Sequence, residues 1–197
     1  MLGSTELKPE MWKQDLELAE SAAMGDESSS RKLAARVFER VRNEVWYLAG
    51  NDQEMDDIVQ SALLEILRSI HTFRGESSLE SWADTIVVRT AMRFFKKRRK
   101  SVILYTDDIS GIPSQDSVQF HCRSEIRDSI RFILRQLPEK QRVVCVLRIV
   151  EGYSISEISE MTDTPLNTVR DQLRVGRKRI SSMINENPNL SDWITGE

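Results

Sequence analysis

Between Gly152 and Pro165 the chain has room for one short helix and little else. Ser154 is placed to cap it, Glu157 three residues on completes the spacing of a capping box, and Tyr153 and Ile158 hold the two positions of a hydrophobic staple. The helix is expected to run to about Met161, with Thr162 and Asp163 making a turn. Thr164 can then cap again and Pro165 can take the first helical position. Beyond it Leu166, Val169, Leu173, Ile180 and Ile184 share one stripe, while Asn167, Thr168, Arg170, Asp171, Arg174 and Lys178 lie on the other face. A short helix, a tight turn and a longer helix with a polar start form a helix-turn-helix, whose second helix lies in the major groove. Arg and Asn there can read base edges, and Thr168 with the helix N-terminus can hold phosphate. An antiparallel helix pair with a solvated basic face fits this segment by itself as well.

The residues leading into it are helical too. Ile126, Ile130, Ile133, Leu134 and Leu137 recur at helical spacing. Pro138 opens a further helix that is expected to bury Val143, Val144, Leu147 and Val150, with Gly152 ending it.

Charge is nearly balanced overall, 28 basic against 31 acidic residues for a net −3, but it is strongly segregated. Residues 89–100 hold Arg89, Arg93, Lys96, Lys97, Arg98, Arg99 and Lys100 with no acid, and residues 170–179 hold Arg170, Arg174, Arg177, Lys178 and Arg179 against Asp171 alone. Two cationic islands in a near-neutral chain imply two places that meet an anion. Between them, residues 101–123 carry Gly111, Pro113, serines and aspartates and read as a linker.

On a helix over residues 82–100, Arg89, Arg93, Lys96, Lys97 and Lys100 fall within an arc of roughly 100°. Ala83, Val87, Ala91 and Phe94 lie opposite. Such a face is a track for a phosphate backbone, and Trp82 projects to its side, where it could stack on an unpaired base or pack in the core. For Phe94 and Phe95, core packing is the preferred reading. The preceding turn, residues 73–81, has neither a phosphate-loop lysine nor a nucleophile elbow. Upstream, residues 56–70 form a helix with acids at its positive end. Its Ile58, Ala62, Ile66 and Ile70 are expected to pack inward against Ala35, Phe38, Val41, Val45 and Leu48 of the helix before it. Asp57, Gln60, Ser61 and Leu64 then remain exposed as a mixed surface suited to a protein partner.

These features exclude several classes. With 40% hydrophobic and 30% charged residues the composition is that of a folded soluble protein. The longest apolar runs, such as Val143–Leu147, are far below the roughly 18 residues of a membrane span. The first 20 residues lack the apolar stretch of a signal peptide, so a reduced, cytoplasmic setting without membrane insertion is expected. Cys122 and Cys145 make neither a disulfide framework nor a zinc site. His71 and His121 have no partner spacing, and Asp56 and Asp57 are explained by the helix start. No catalytic residue, metal or cofactor is expected.

Taken together, the segment from Asp56 to Lys100 resembles region two, and that from Leu134 to Ile180 region four, of the sigma-70 family of bacterial RNA polymerase initiation factors. The likeness is to the short extracytoplasmic-function (ECF) group. It implies an all-α fold of two helical domains joined by a flexible linker. The parts are an acidic segment 1–30, a region-two-like domain 31–100, the linker 101–123, a region-four-like domain 124–187 and a tail 188–197. It further implies that Asp57, Ile58, Gln60 and Ser61 dock on the clamp helices of the polymerase largest subunit, and that the polymerase flap is a further contact of the chain. Arg74, Ser77, Ser78, Trp82, Arg89, Arg93, Lys96, Lys97 and Lys100 would bind the −10 element, the loop 74–81 taking a flipped base. Asn167, Thr168, Arg170, Asp171, Arg174 and Lys178 would read the −35 element. An anti-sigma factor is an implied partner. The chain departs from the family pattern at Ser61, Arg89, Arg93 and 167–172.

Two other readings of the same residues stand beside this one: a stand-alone DNA-binding regulator using the helix-turn-helix, and a sigma mimic that titrates an inhibitor. The acidic first 27 residues could shield the basic islands in the free protein.

Overall fold

A computed structural model describes the backbone of residues 8–49, 54–105 and 124–186, and side chains within 13–49, 54–99 and 127–186. The described residues form α-helices with two short variants of the helix and no strand. The chain divides into two compact units, Met1–Met92 and Arg93–Glu197.

The first unit begins earlier than the sequence suggests. Helix α1 (Lys8–Ala23) packs against α2 (Glu27–Leu48) and against the 3-10 turn Ile70–Thr72. Ala19 and Ala22 are buried, so much of the supposed acidic segment is part of the bundle rather than a free shield. Asp26 caps α2, its Oδ2 accepting from the Ser29 amide at 2.7 Å, and that bond holds its carboxyl below the usual aspartate range.

Helix α2 buries Leu33, Val37, Val41, Val45 and Leu48 completely. Successive steps of four and three residues keep these on one stripe, and each contributes about 1.5–3 kcal/mol. Val41, Val45 and Leu48 are where the periodicity puts them, but Ala35 and Phe38 are exposed. At 100° per residue Phe38 falls on the margin of the stripe and Ala35 beyond it. Helix α3 (Met55–Ser69) and the 3-10 turn bury Ile58, Ala62, Ile66 and Ile70, all as anticipated.

Helix α4 spans Leu79–Tyr105, running five residues into the expected linker. It buries Leu79, Ala83, Val87, Val88, Ala91 and Phe95; Phe94 is only half-buried, because Phe95 continues the stripe four residues on from Ala91. The remaining linker residues, 106–123, and the tail from 187 lie outside the described residues.

The second unit contains α5 (Ser124–Arg135), α6 (Glu139–Cys145), a π-helical turn Val146–Val150, α7 (Ile155–Thr162) and α8 (Leu166–Asn185). Its core is Ile133, Leu134, Leu137, Val143–Leu147, Ile158, Met161, Val169 and Leu173. Val150 is half-buried rather than buried, since the wider turn takes it out of the α-helical phase that Val143 and Leu147 set. The side chain of Arg142 is buried, donating from Nη1 to the carbonyls of Leu137 (3.2 Å) and Arg135 (3.4 Å) and so closing the α5–α6 corner.

Candidate nucleic-acid interface

The helix-turn-helix is built as its caps dictate. The Ser154 hydroxyl accepts from the Glu157 amide (3.2 Å) and a Glu157 carboxylate oxygen from the Ser154 amide (2.7 Å). Those bonds hold the Glu157 carboxyl below its ordinary range. The turn is made by Asp163 in the left-handed region, φ 50° and ψ 43°, a conformation Asp tolerates better than most residues. Thr164 donates its hydroxyl to the Thr162 carbonyl (3.2 Å) instead of capping α8, and Pro165 stands just before the first helical residue, Leu166. The start of α8 is therefore one residue later than the sequence reading put it.

On α8 the two faces separate cleanly. Val169, Leu173 and Gly176 are buried, while Asn167, Thr168, Arg170, Asp171, Arg174 and Lys178 are all exposed. Arg170 donates to the Asn167 amide oxygen (3.1 Å), and Arg174 pairs with Asp171 at 3.5 Å. Both contacts are solvent-exposed and weak: they orient the side chains, and Asp171 competes with a ligand for Arg174. Arg177 and Arg179 are exposed on the same helix.

The loop between the 3-10 turn and α4 turns at Gly75, φ 67°. Arg74 is exposed and Ser77 half-buried. Ser78 has a structural duty: its Oγ accepts from the Ser81 amide at 3.2 Å and its carbonyl from the Trp82 amide at 3.1 Å, which starts α4. Trp82 is half-buried and packs on Phe73, ring centroids 5.5 Å apart.

From there α4 presents Arg89, Arg93, Lys96 and Lys97, all exposed, opposite the buried Val87, Ala91 and Phe95; the Lys100 side chain lies outside the described residues. The arc of charge inferred from spacing is thus an exposed arc. Arg98 and Arg99 both pair with Glu139, and Arg98 lies over the Phe95 ring at 5.7 Å. Those two cations of the run are engaged with the protein itself, which no local pattern signals because Glu139 is some forty residues away.

On α3, Asp57, Gln60, Ser61 and Leu64 are exposed and Ile58 is fully buried. Ile58 therefore supports that face from beneath and does not belong to its surface.

Behind these surfaces lies a row of charges between α1, α2 and α4 that hydrophobic periodicity does not reveal. Arg36 reaches Asp15 (3.6 Å) and Glu80 (2.9 Å), and Arg40 grips the buried Asp84 with two hydrogen bonds of 3.0 and 2.5 Å. Burial pushes the Asp15 carboxyl above the ordinary range, opposed by Arg36 and reinforced by the like charge of Glu80.

Among the described residues no group of three or more His, Cys, Asp or Glu is arranged to hold a metal ion, and no helix is long and apolar enough to cross a membrane.

Comparison with known proteins matches residues 33–101 to the family model described as sigma-70 region 2 and residues 127–180 to that described as sigma-70, region 4. The chain is 28% identical over 183 residues to the ECF RNA polymerase sigma-E factor of Haemophilus influenzae, covering 86% of this chain and 95% of that protein. It is 24% identical to the RNA polymerase sigma-H factor of Pseudomonas aeruginosa, covering 87% and 94%. Its fold is similar to that of the sigma factor RpoE of Bartonella quintana, solved in complex with the anti-sigma factor NepR. That likeness has a TM-score of 0.63 and 18% identity, covering 79% of this chain and 96% of that one.

Proposed function

The chain belongs to the sigma-70 family, in its extracytoplasmic-function group, and is a promoter-recognising initiation factor of transcription; on that premise we propose how its surfaces divide the work. The α3 face of Asp57, Gln60 and Ser61, carried on buried Ile58, docks on the clamp helices of the polymerase core. The loop from Arg74 to Ser81 receives a flipped base of the −10 element. The α4 stripe of Arg89, Arg93, Lys96, Lys97 and Lys100 holds the backbone of the opened strand. Extruding a base costs a few kcal/mol, and a cationic track with an adjacent aromatic, here Trp82, offsets that cost.

The second unit reads the −35 element as duplex through Asn167, Thr168, Arg170, Asp171, Arg174 and Lys178, and meets the polymerase flap. The first functional domain takes in α1 as well as residues 31–100, the second covers 124–187, and the joining segment is what remains between Tyr105 and Ser124. The chain performs no chemistry of its own, acts in the cytoplasm, and is held in check by an anti-sigma factor, as the Bartonella sigma factor is found bound to one.

The observation that carries this reading is the segregation on α4, four exposed cations against a fully buried opposite stripe. Its test is transcription from a promoter pool with purified core polymerase. Promoter-dependent transcripts should require this chain, and changing Arg93, Lys96 and Lys97 together to Ala should abolish strand opening while leaving polymerase binding intact. Opening that survives the triple change overturns the assignment of the stripe and favours the titration reading.

A further inference from the structure

Helix α1 lies outside the stretch matched by the region 2 family model, which begins at residue 33, yet it packs against the 3-10 turn that feeds the loop over residues 73–78. At Gly75 the three atoms nearest to an added β-carbon all belong to Leu16 of α1, with Cδ2 at 3.5 Å, Cδ1 at 3.7 Å and Cβ at 3.8 Å. The apex of the loop therefore lies against the Leu16 side chain. Past the loop, Glu80 in the first turn of α4 is tied to Arg36 at 2.9 Å, and Arg36 is tied to Asp15, the neighbour of Leu16, at 3.6 Å. Asp15 is 5% exposed, so it cannot leave Arg36 for water without α1 moving. A short loop takes its shape from the scaffold that holds it, and here α1 touches that scaffold both beneath the apex and, through Arg36, at the exit.

We propose that α1 is a positioning element for base capture: Leu16 backs Gly75, and the Asp15–Arg36–Glu80 chain fixes the start of α4, so that the loop's discrimination among unpaired bases depends on a helix beyond the matched region. The proposal rests on the reading of loop 74–81 given above, and its test separates the two.

Full-length protein with core polymerase is used on a promoter that the wild type selects from a pool randomised over the −10 positions. Permanganate reactivity of opened thymines is compared between that promoter and single-base variants of it. Leu16→Ala should lower the ratio of selected to substituted opening by about tenfold, because a displacement of about an ångström degrades a binding geometry to that extent or more. Leu16→Met should restore it, and Glu80→Gln, a milder change at the far end of the chain, should lower it in the same sense. Polymerase affinity should stay at the wild-type value in all three.

A Leu16→Ala protein that opens every promoter less well by one common factor has only lost stability, and that result overturns the proposal. So does an unchanged ratio in both Leu16→Ala and Glu80→Gln while Arg74→Ala or Ser77→Ala lowers it; the loop reading then stands without α1. If Arg74→Ala and Ser77→Ala also leave the ratio unchanged, the loop reading itself fails and takes this one with it.

Discussion

Gly176 of α8 stands so close to Cys145 of α6 that a β-carbon added to it would come within 2.5 Å of the cysteine sulfur. The absence of a side chain lets the recognition helix seat on α6. Burial pushes the Cys145 thiol up to about 11 against the opposing pull of Arg177, so at neutral pH the sulfur is an uncharged packing atom. Gly176→Ala should destabilise the second unit by about 1–3 kcal/mol, the usual cost of overpacking. Adding Cys145→Ala should return part of that loss, since it removes the atom the methyl meets. Urea midpoints of the single and double variants check this, and additive losses would refute the contact.

Arg142 should be irreplaceable at the α5–α6 corner. Its guanidinium donates to two carbonyls from a buried position and lies over the Phe95 ring at 5.8 Å. Arg142→Met keeps much of the bulk and loses charged hydrogen bonds of about 1.5–3 kcal/mol in all. Arg142→Lys should do little better, because an ammonium cannot spread its donors as the planar fork does. Thermal melting of both variants decides it.

The pair Arg40–Asp84 should respond unequally to removal of its members. Asp84 is fully buried, whereas the Arg40 side chain is 38% exposed. Arg40→Ala withdraws a bidentate partner from a fully buried carboxylate and should cost the more, with about 3–5 kcal/mol as its upper range. Asp84→Ala leaves a guanidinium that can turn to solvent and should cost clearly less. Equal losses in chemical denaturation would contradict this account.

Acid should loosen α7 through its capping box. The Glu157 carboxyl is held below its ordinary 4.5 by its bonds to Ser154, so the folded state binds that proton less readily than the unfolded chain. The stabilisation is fully present above pH 4.5 and is lost as pH falls through the lowered value. Ser154→Ala should cost about 1 kcal/mol at neutral pH, and its difference from wild type should narrow in acid. Amide exchange across Ile155–Thr162 at two pH values reads this out.

Asp171→Asn should tighten non-specific binding to duplex DNA, whatever it takes from the reading of the −35 element. The carboxylate repels phosphate and pairs with Arg174 at 3.5 Å; neutralising it gives Arg174 to the backbone. One further phosphate contact steepens the dependence of log affinity on log salt by about 0.9. Titrations at several salt concentrations measure the slope, and a slope equal to that of the wild type would mean Arg174 gains no contact.

Much of this was legible wherever local rules decide the outcome. The inward set of α3, the capping box at Ser154 and Glu157, and the exposed polar face of α8 all follow from spacing and side-chain chemistry. Where tertiary contact decides, the sequence was silent or misleading. Helix α1 is not strongly amphipathic, and its burial of Ala19 and Ala22 depends on neighbours far along the chain. Nothing in the local pattern marks Asp84 and Arg142 as buried until their partners are known. Phe38 and Phe94 look like core by composition and miss it by a fraction of a turn. Thr164 was free to cap α8 by every local rule, but its hydroxyl turns back to donate to the Thr162 carbonyl and the helix begins only after Pro165.

The wide turn at Val146–Val150 has the amide of Glu151 bonded to the carbonyl of Val146, five residues back. Each residue passed in a helix swings the next by about 100°, so the azimuth at which the chain leaves α6 is counted in residues rather than written in their identities. Deleting a single position from this stretch would rewind it to ordinary pitch and aim α8 at a different part of space, while leaving every side chain on its exposed polar face unaltered.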